Sequence, residues 1–162
     1  MKNKVLIFII TIIFFQPLLA ENLNIQSSSI SIDKISKLSI FKDNVTVVDT
    51  KGNILKTNYA EYDKKNELLK SKGKTSIQTS EGYFLTSTNI TFDNIKKIIR
   101  SEEPTILNDL ENNNIYLENF EYSTKNNFFK SIGNIKVIDS KNNSYNFSQI
   151  YIDEKKKRDN RY

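Results

Sequence analysis

Displaced along itself by thirty residues, the chain places apolar positions on one another. Ile32, Tyr62, Phe92, Tyr122 and Ile152 fall in one column, and Ile30, Ala60, Ile90, Phe120 and Ile150 in a second. Leu55, Leu85, Ile115 and Tyr145 make a third, Val47, Ile77, Leu107 and Val137 a fourth, and Leu38, Leu68, Ile98 and Phe128 a fifth. A period of this length marks a repeat architecture, because one such unit cannot cover its own apolar face and buries it only by stacking on its neighbours. Five copies are visible, the first and last incomplete.

Within a unit the apolar residues follow strand spacing. In VTVVDTKGNILKTNYAEYD, Val45 and Val47 alternate with polar neighbours up to a D-T-K-G-N turn, which reads as a hairpin. Gly52 and Gly82 align with Asn112 and Asn142, residues that tolerate the positive φ of a tight turn. The second strand carries Ile115, Leu117, Phe120 and Tyr122, in steps of two, three and two. A step of three in a period-two strand exchanges its faces unless the chain bulges or bends there. The pattern therefore predicts bulges or bends near 58–59, 88–89, 118–119 and 148–149, where the chain passes from one sheet to another. DKKN then forms a turn led by Asp63, and ELLKSKG a short strand ending at Gly73. The aligned Asp33, Asp63, Asp93 and Asp153 are read as turn formers. The expected fold is all-β, an elongated stack of two sheets.

The first twenty residues have the layout of a signal peptide, with Lys2 and Lys4, an apolar run from Val5 to Phe15, and Ala20 before the cut. Residues 21–154 are expected to form one repeat domain, and 155–162 a basic polar tail. At EKKKRDNRY the period calls for another apolar strand, so the tail either caps the stack or marks a truncation point. The formal charge of +5 falls to +3 without Lys2 and Lys4, far from the dense basic stripe of a nucleic-acid binder. The aromatic residues share columns with Ile and Leu, which makes them inner-face residues rather than base-stacking platforms.

With no His and no Cys, the chain excludes Ser-His-Asp and Cys-His catalysis and the common zinc sites. Its four glycines form neither GxGxxG nor GxxxxGK. Pairs such as Glu102 with Glu103 lie in polar turn-like segments. The sequence points to no enzyme, cofactor or metal.

The units FKDNVTVVDTKGNILKTNYAEYDKKNELLKSKG and SIQTSEGYFLTSTNITFDNIKKIIRSEEPTIL resemble the repeats of the OstA-like family of lipopolysaccharide-transport proteins, over residues 40 to 153. The shared feature is a Y/F-D turn, as in AEYD and ITFD, followed by a short strand. The resemblance implies a β-jellyroll of V-shaped section that holds lipopolysaccharide acyl chains inside and leaves sugars and phosphates outside. It implies a periplasmic, outer-membrane-associated location and end-to-end strand pairing with other OstA-like domains. Two types remain open. One is the periplasmic bridge protein, LptA type. The other, favoured by the broken last repeat, is the N-terminal domain of an LptD-type translocon, whose outer-membrane barrel would be absent from this chain. No catalytic motif is carried over. Position alone nominates Leu55, Tyr62, Leu85, Ile90, Phe92, Ile115, Leu117, Phe120, Tyr122, Ile150 and Ile152 as lining a lipid groove. Any two-sheet protein also needs such residues simply as core. An open groove predicts that Phe120→Asp abolishes lipid loading while the fold is retained. The competing reading is a secreted structural β-solenoid that binds protein partners through its edges and takes no lipid.

Overall fold

The computed structural model describes residues 23–153, and among them every regular element is a β-strand. The readings of 1–20 as a leader and of 155–162 as a tail concern residues outside that range. The first seven strands are β1 (Asn24–Gln26), β2 (Ser29–Asp33), β3 (Leu38–Val48), β4 (Ile54–Asp63), β5 (Leu68–Ser71), β6 (Lys74–Gln78) and β7 (Phe84–Thr88). The other seven are β8 (Thr91–Asp93), β9 (Ile98–Ser101), β10 (Thr105–Asn108), β11 (Asn114–Leu117), β12 (Phe120–Ser123), β13 (Phe128–Ile138) and β14 (Ser144–Asp153).

All pairings are antiparallel, and they fall into two ladders. One runs from β1 through the second half of β3, the first half of β4, β6, β7, β10 and β11 to the second half of β13 and the first half of β14. The other runs from β2 through the first half of β3, the second half of β4, β5, β8, β9 and β12 to the first half of β13 and the second half of β14. Four long strands, β3, β4, β13 and β14, belong to both ladders and join them at a corner.

The step of three in the sequence marks that corner in two different ways. In the middle units the strand is interrupted between β7 and β8, with Asn89 at φ 49°, and between β11 and β12. In β4 and β14 the strand runs through, and the irregularity sits in the partner: Asp43 and Asn44 together face Asn58, and Gly133 and Asn134 together face Ser148. Where two long strands turn the corner side by side, the one on the longer path needs an extra residue to keep its hydrogen bonds in register. Asp43, Asn44 and Gly133 supply it with φ of 60°, 54° and 132°.

Turns lie along the two rims opposite the corner. The hairpin turns at 49–53, 79–83, 109–113 and 139–143 each close with a bond from the fourth residue's N–H to the first residue's carbonyl, as from Gly52 to Asp49 at 3.1 Å. Gly52, Gly82, Asn112 and Asn142 all have positive φ, as the aligned Gly and Asn lead one to expect. The turns at 33–37, 63–67 and 93–97 are led by Asp33, Asp63 and Asp93, whose Oδ1 atoms accept backbone N–H groups inside the turn. At 123–127 Ser123 does the same for Asn126.

Each of these turns ends on a residue with φ between 48° and 60°: Lys37, Glu67, Lys97 and Asn127. For a residue with a Cβ this conformation costs about 1 kcal/mol. The carbonyls of Lys37, Glu67 and Lys97 accept the N–H of Lys64, Asn94 and Thr124 in the next turn, at 3.1, 3.0 and 2.9 Å, so the turns are stitched into a ladder.

Two glycines separate backbone strain from crowding. A Cβ at Gly52 would meet nothing within 4 Å, whereas one at Gly133 would lie 2.6 Å from Glu118 Oε2, on a backbone at φ 132° that side chains rarely adopt. Gly52→Ala is expected to cost about 1 kcal/mol and Gly133→Ala about 2–3 kcal/mol, with urea unfolding of the two variants as the check.

Candidate functional site: an apolar interior between the sheets

Alternation along both ladders turns one face of each toward the other. All eleven residues nominated from the sequence lie on that inner face. Leu55, Leu85, Ile90, Phe92, Ile115, Leu117, Phe120 and Tyr122 are buried, none more than 4% exposed, while Tyr62, Ile150 and Ile152 are half-buried and pack against them. Phe120 stacks on Phe129 with ring centroids 5.8 Å apart. Burial raises the Tyr62 phenol above its ordinary pKa, with smaller contributions from Glu67 and Asp63.

The interior is not uniform along the stack. Its middle is packed. At the C-terminal end a cavity of about 340 Å³ opens among Ile115, Val137, Ile150 and Ile152, with Tyr83, Tyr151, Asp109 and Asp153 also on its wall. That is at the low end of the range for small-molecule sites, about 300–1,000 Å³. Beyond it Tyr145 and Phe147, which continue the inner columns on the last described strand, are 46% and 50% exposed, since no further strand among the described residues covers them. At the other end Ile30 and Ile32 on β2 are 52% and 63% exposed for the same reason.

A second set of interior residues escaped the sequence reading. Along the corner, where the sheets converge, Thr57, Ser71, Thr75, Ser87, Ser101, Thr105 and Ser131 are buried hydroxyls. They satisfy one another. Thr75 Oγ1 donates to Ser71 Oγ at 2.8 Å, Thr105 Oγ1 to Ser87 Oγ at 2.7 Å, and Ser87 Oγ to Ser101 Oγ at 3.1 Å. Ser131 Oγ donates to the carbonyl of Asn119, and Ser71 Oγ accepts the N–H of Ile90. Small side chains let the sheets close at the corner, and hydroxyls fill the hydrogen bonds that the broken ladder leaves open there. The signal was present in the thirty-residue register, since Thr57 aligns with Ser87, Ser71 with Ser101 and Ser131, and Thr75 with Thr105.

The architecture and the interior together define a two-sheet β-jellyroll with an apolar inside, packed at its centre and open at its ends. No family model matches the chain, and a search of the curated proteins finds no match. Among solved structures it is similar to the crystal structure of LptH, the LptA-homologous periplasmic component of the conserved lipopolysaccharide transport device from Pseudomonas aeruginosa. The TM-score is 0.57 at 15% identity, over 69% of this chain and 82% of that one. The chain therefore has the LptA-type jellyroll fold that its repeats lead one to expect.

The position of Phe120 changes one expectation. A carboxylate placed against Phe129 in the packed centre would be buried without a partner at a cost of several kcal/mol, so Phe120→Asp tests folding rather than lipid loading. Phe120→Ala is expected to lose about 3–5 kcal/mol and Ile150→Ala, at the half-open end, clearly less, as measured by urea unfolding.

Turn carboxylates make the rims sensitive to acid. Asp33 is held below the usual carboxylate range by the Ser36 hydroxyl and by backbone N–H groups, Asp63 by the Asn66 side chain and backbone, and Asp139 by the Asn143 side chain and backbone. Because these pKa values are depressed on folding, their contribution is complete above the unfolded value of about 4 and is lost as pH falls through the folded values. Amide exchange at Lys65, Asn66 and Asn143 is expected to accelerate below pH ~4 before the core strands open; protection of both sets lost together would contradict it.

Proposed function

We propose that this protein is a non-catalytic periplasmic module of lipopolysaccharide transport, in which the space between the sheets holds acyl chains of the lipid. The carrying observation is the apolar cavity at the C-terminal end, which continues the buried interior and opens among Ile115, Val137, Ile150 and Ile152. Burying about a dozen CH₂ groups at ~0.8 kcal/mol each would offset the ordering of one chain. Leu55, Tyr62, Leu85, Ile90, Phe92, Leu117, Phe120 and Tyr122 would then be the wall against which further chains lie when the sheets part.

The edges supply the rest of the reading. Among the described residues β1 and β2 pair only with β3, and β14 only with β13, so each end of the described stack presents a strand edge beside exposed inner-face residues. Such edges suit the addition of a strand from another jellyroll of this kind. They would continue the interior from one molecule to the next, in an LptA-type bridge or onto the N-terminal domain of an LptD-type translocon at the outer membrane. Edges of this kind equally suit a structural β-solenoid that binds protein partners and takes no lipid.

A photoreactive residue at Ile150 separates the two. Purified lipopolysaccharide is expected to crosslink there and to be displaced by excess unlabelled lipid. A folded protein that gives no crosslink from position 150 would refute the conduit and leave the edge-binding scaffold.

A further inference from the structure

The two rims that face each other across the mouth of the wedge are already in contact. Lys51, on the first hairpin turn, extends Nζ to the backbone carbonyl of Thr124, to that of Lys125 at 2.8 Å and to Asn127 Oδ1 at 3.4 Å. Asn127 in turn donates Nδ2 to Glu81 Oε1 at 2.9 Å, and Glu81 lies on the second hairpin turn. Three turns from the two sheets thus meet at one point. Asn127 is 7% exposed and Thr124 2%, so two of the residues that meet Lys51 are shielded from solvent. Tyr83 and Asp153, on the wall of the terminal cavity, are tied to the same point: Tyr83 closes the turn that carries Glu81, and Asp153 pairs with Phe128, next to Asn127.

The charges along the rims favour that closure. The four turns at 33–37, 63–67, 93–97 and 123–127 carry seven lysines and four carboxylates, whereas the hairpin turns at 49–53, 79–83, 109–113 and 139–143 carry two lysines and five carboxylates. The rims are therefore of opposite net charge. Exposed charges of this kind attract over roughly 8–10 Å at physiological ionic strength, and over about 3 Å at 1 M salt.

We infer that Lys51, Glu81 and Asn127 form a latch that holds the mouth of the wedge shut and must open for a lipid chain to enter from the side. This rests on the lipid-conduit reading above and adds its regulation. A packed centre and a cavity near 340 Å³ leave no room for several chains while the rims touch. Release of these four hydrogen bonds between turns, without breaking a strand pair, would let the sheets part about the corner. Cargo with negatively charged groups outside the wedge would compete with the carboxylate rim for the lysines of the other.

The chain has no cysteine, so spin labels at Thr50→Cys and Asn126→Cys report the rim separation alone. The lipid-free protein is expected to show one short, narrow distance that lengthens and broadens in Lys51→Met and, with Lys51 in place, at 1 M salt. The rate of lipopolysaccharide crosslinking at position 150 is expected to rise about tenfold in Lys51→Met, the worth of one charge-assisted hydrogen bond. An unchanged distance in both conditions overturns the latch. So does a widened mouth with an unaltered loading rate, even where the wild-type crosslink upholds the conduit. If neither protein takes up lipid, the conduit fails and the gate with it, and the distances then describe only a contact between turns.

Discussion

Everything in this molecule follows from having to keep the same side chains inward while the backbone changes sheets. A strand alternates faces at every residue, so a chain that turns the corner after Thr57, Ser87 or Leu117 must skip a position before Ala60, Ile90 or Phe120 can point inside. The thirty-residue unit exists to repeat that manoeuvre. Each copy crosses the corner twice, and the crossing is where the backbone departs from regular pairing, where the hydroxyl seam sits, and where Asn89 and Gly133 adopt conformations foreign to a strand.

The division of labour between corner and rims then explains the chemistry of the side chains. At the corner the sheets are too close for large residues, so Ser and Thr pack there and hydrogen-bond to one another. Further out the gap widens and Leu, Ile, Phe and Tyr fill it. At the rims the chain reverses, and Asp, Asn and Gly hold the turns while lysines such as Lys34, Lys64 and Lys65 are exposed. The gradient from hydroxyl to hydrocarbon to charge is one cross-section, repeated along the stack.

Most of that cross-section was legible in the sequence. The period placed the strands, the two-three-two step placed the corner, and Gly52, Gly82, Asn112 and Asn142 marked the positive-φ turns. What was hidden has physical reasons. Lys37, Glu67 and Lys97 adopt positive φ against their own preference while their carbonyls bond the next turn, and no residue type announces that. The corner hydroxyls were in register but polar, so a search for apolar columns passed over them. Whether an inner residue is buried depends on having a neighbouring rung. This is why Tyr145 shares a column with Leu85 yet lies open. The contact from Lys51 to the 123–127 turn joins residues more than seventy positions apart and depends on how the two sheets cross, which a one-dimensional period does not encode.

The stitching of the turns into a ladder also sets how such a chain can change in length. Because each turn bonds to the one a full unit away, removing or adding residues at a rim disturbs one reversal and leaves the columns aligned. A single residue gained or lost between the corner and a rim moves every later inner side chain of that strand to the outside. Variation in a lineage of such chains should therefore arrive either as small changes at the turns or as whole thirty-residue units. A jellyroll built this way grows like masonry, by courses rather than by bricks.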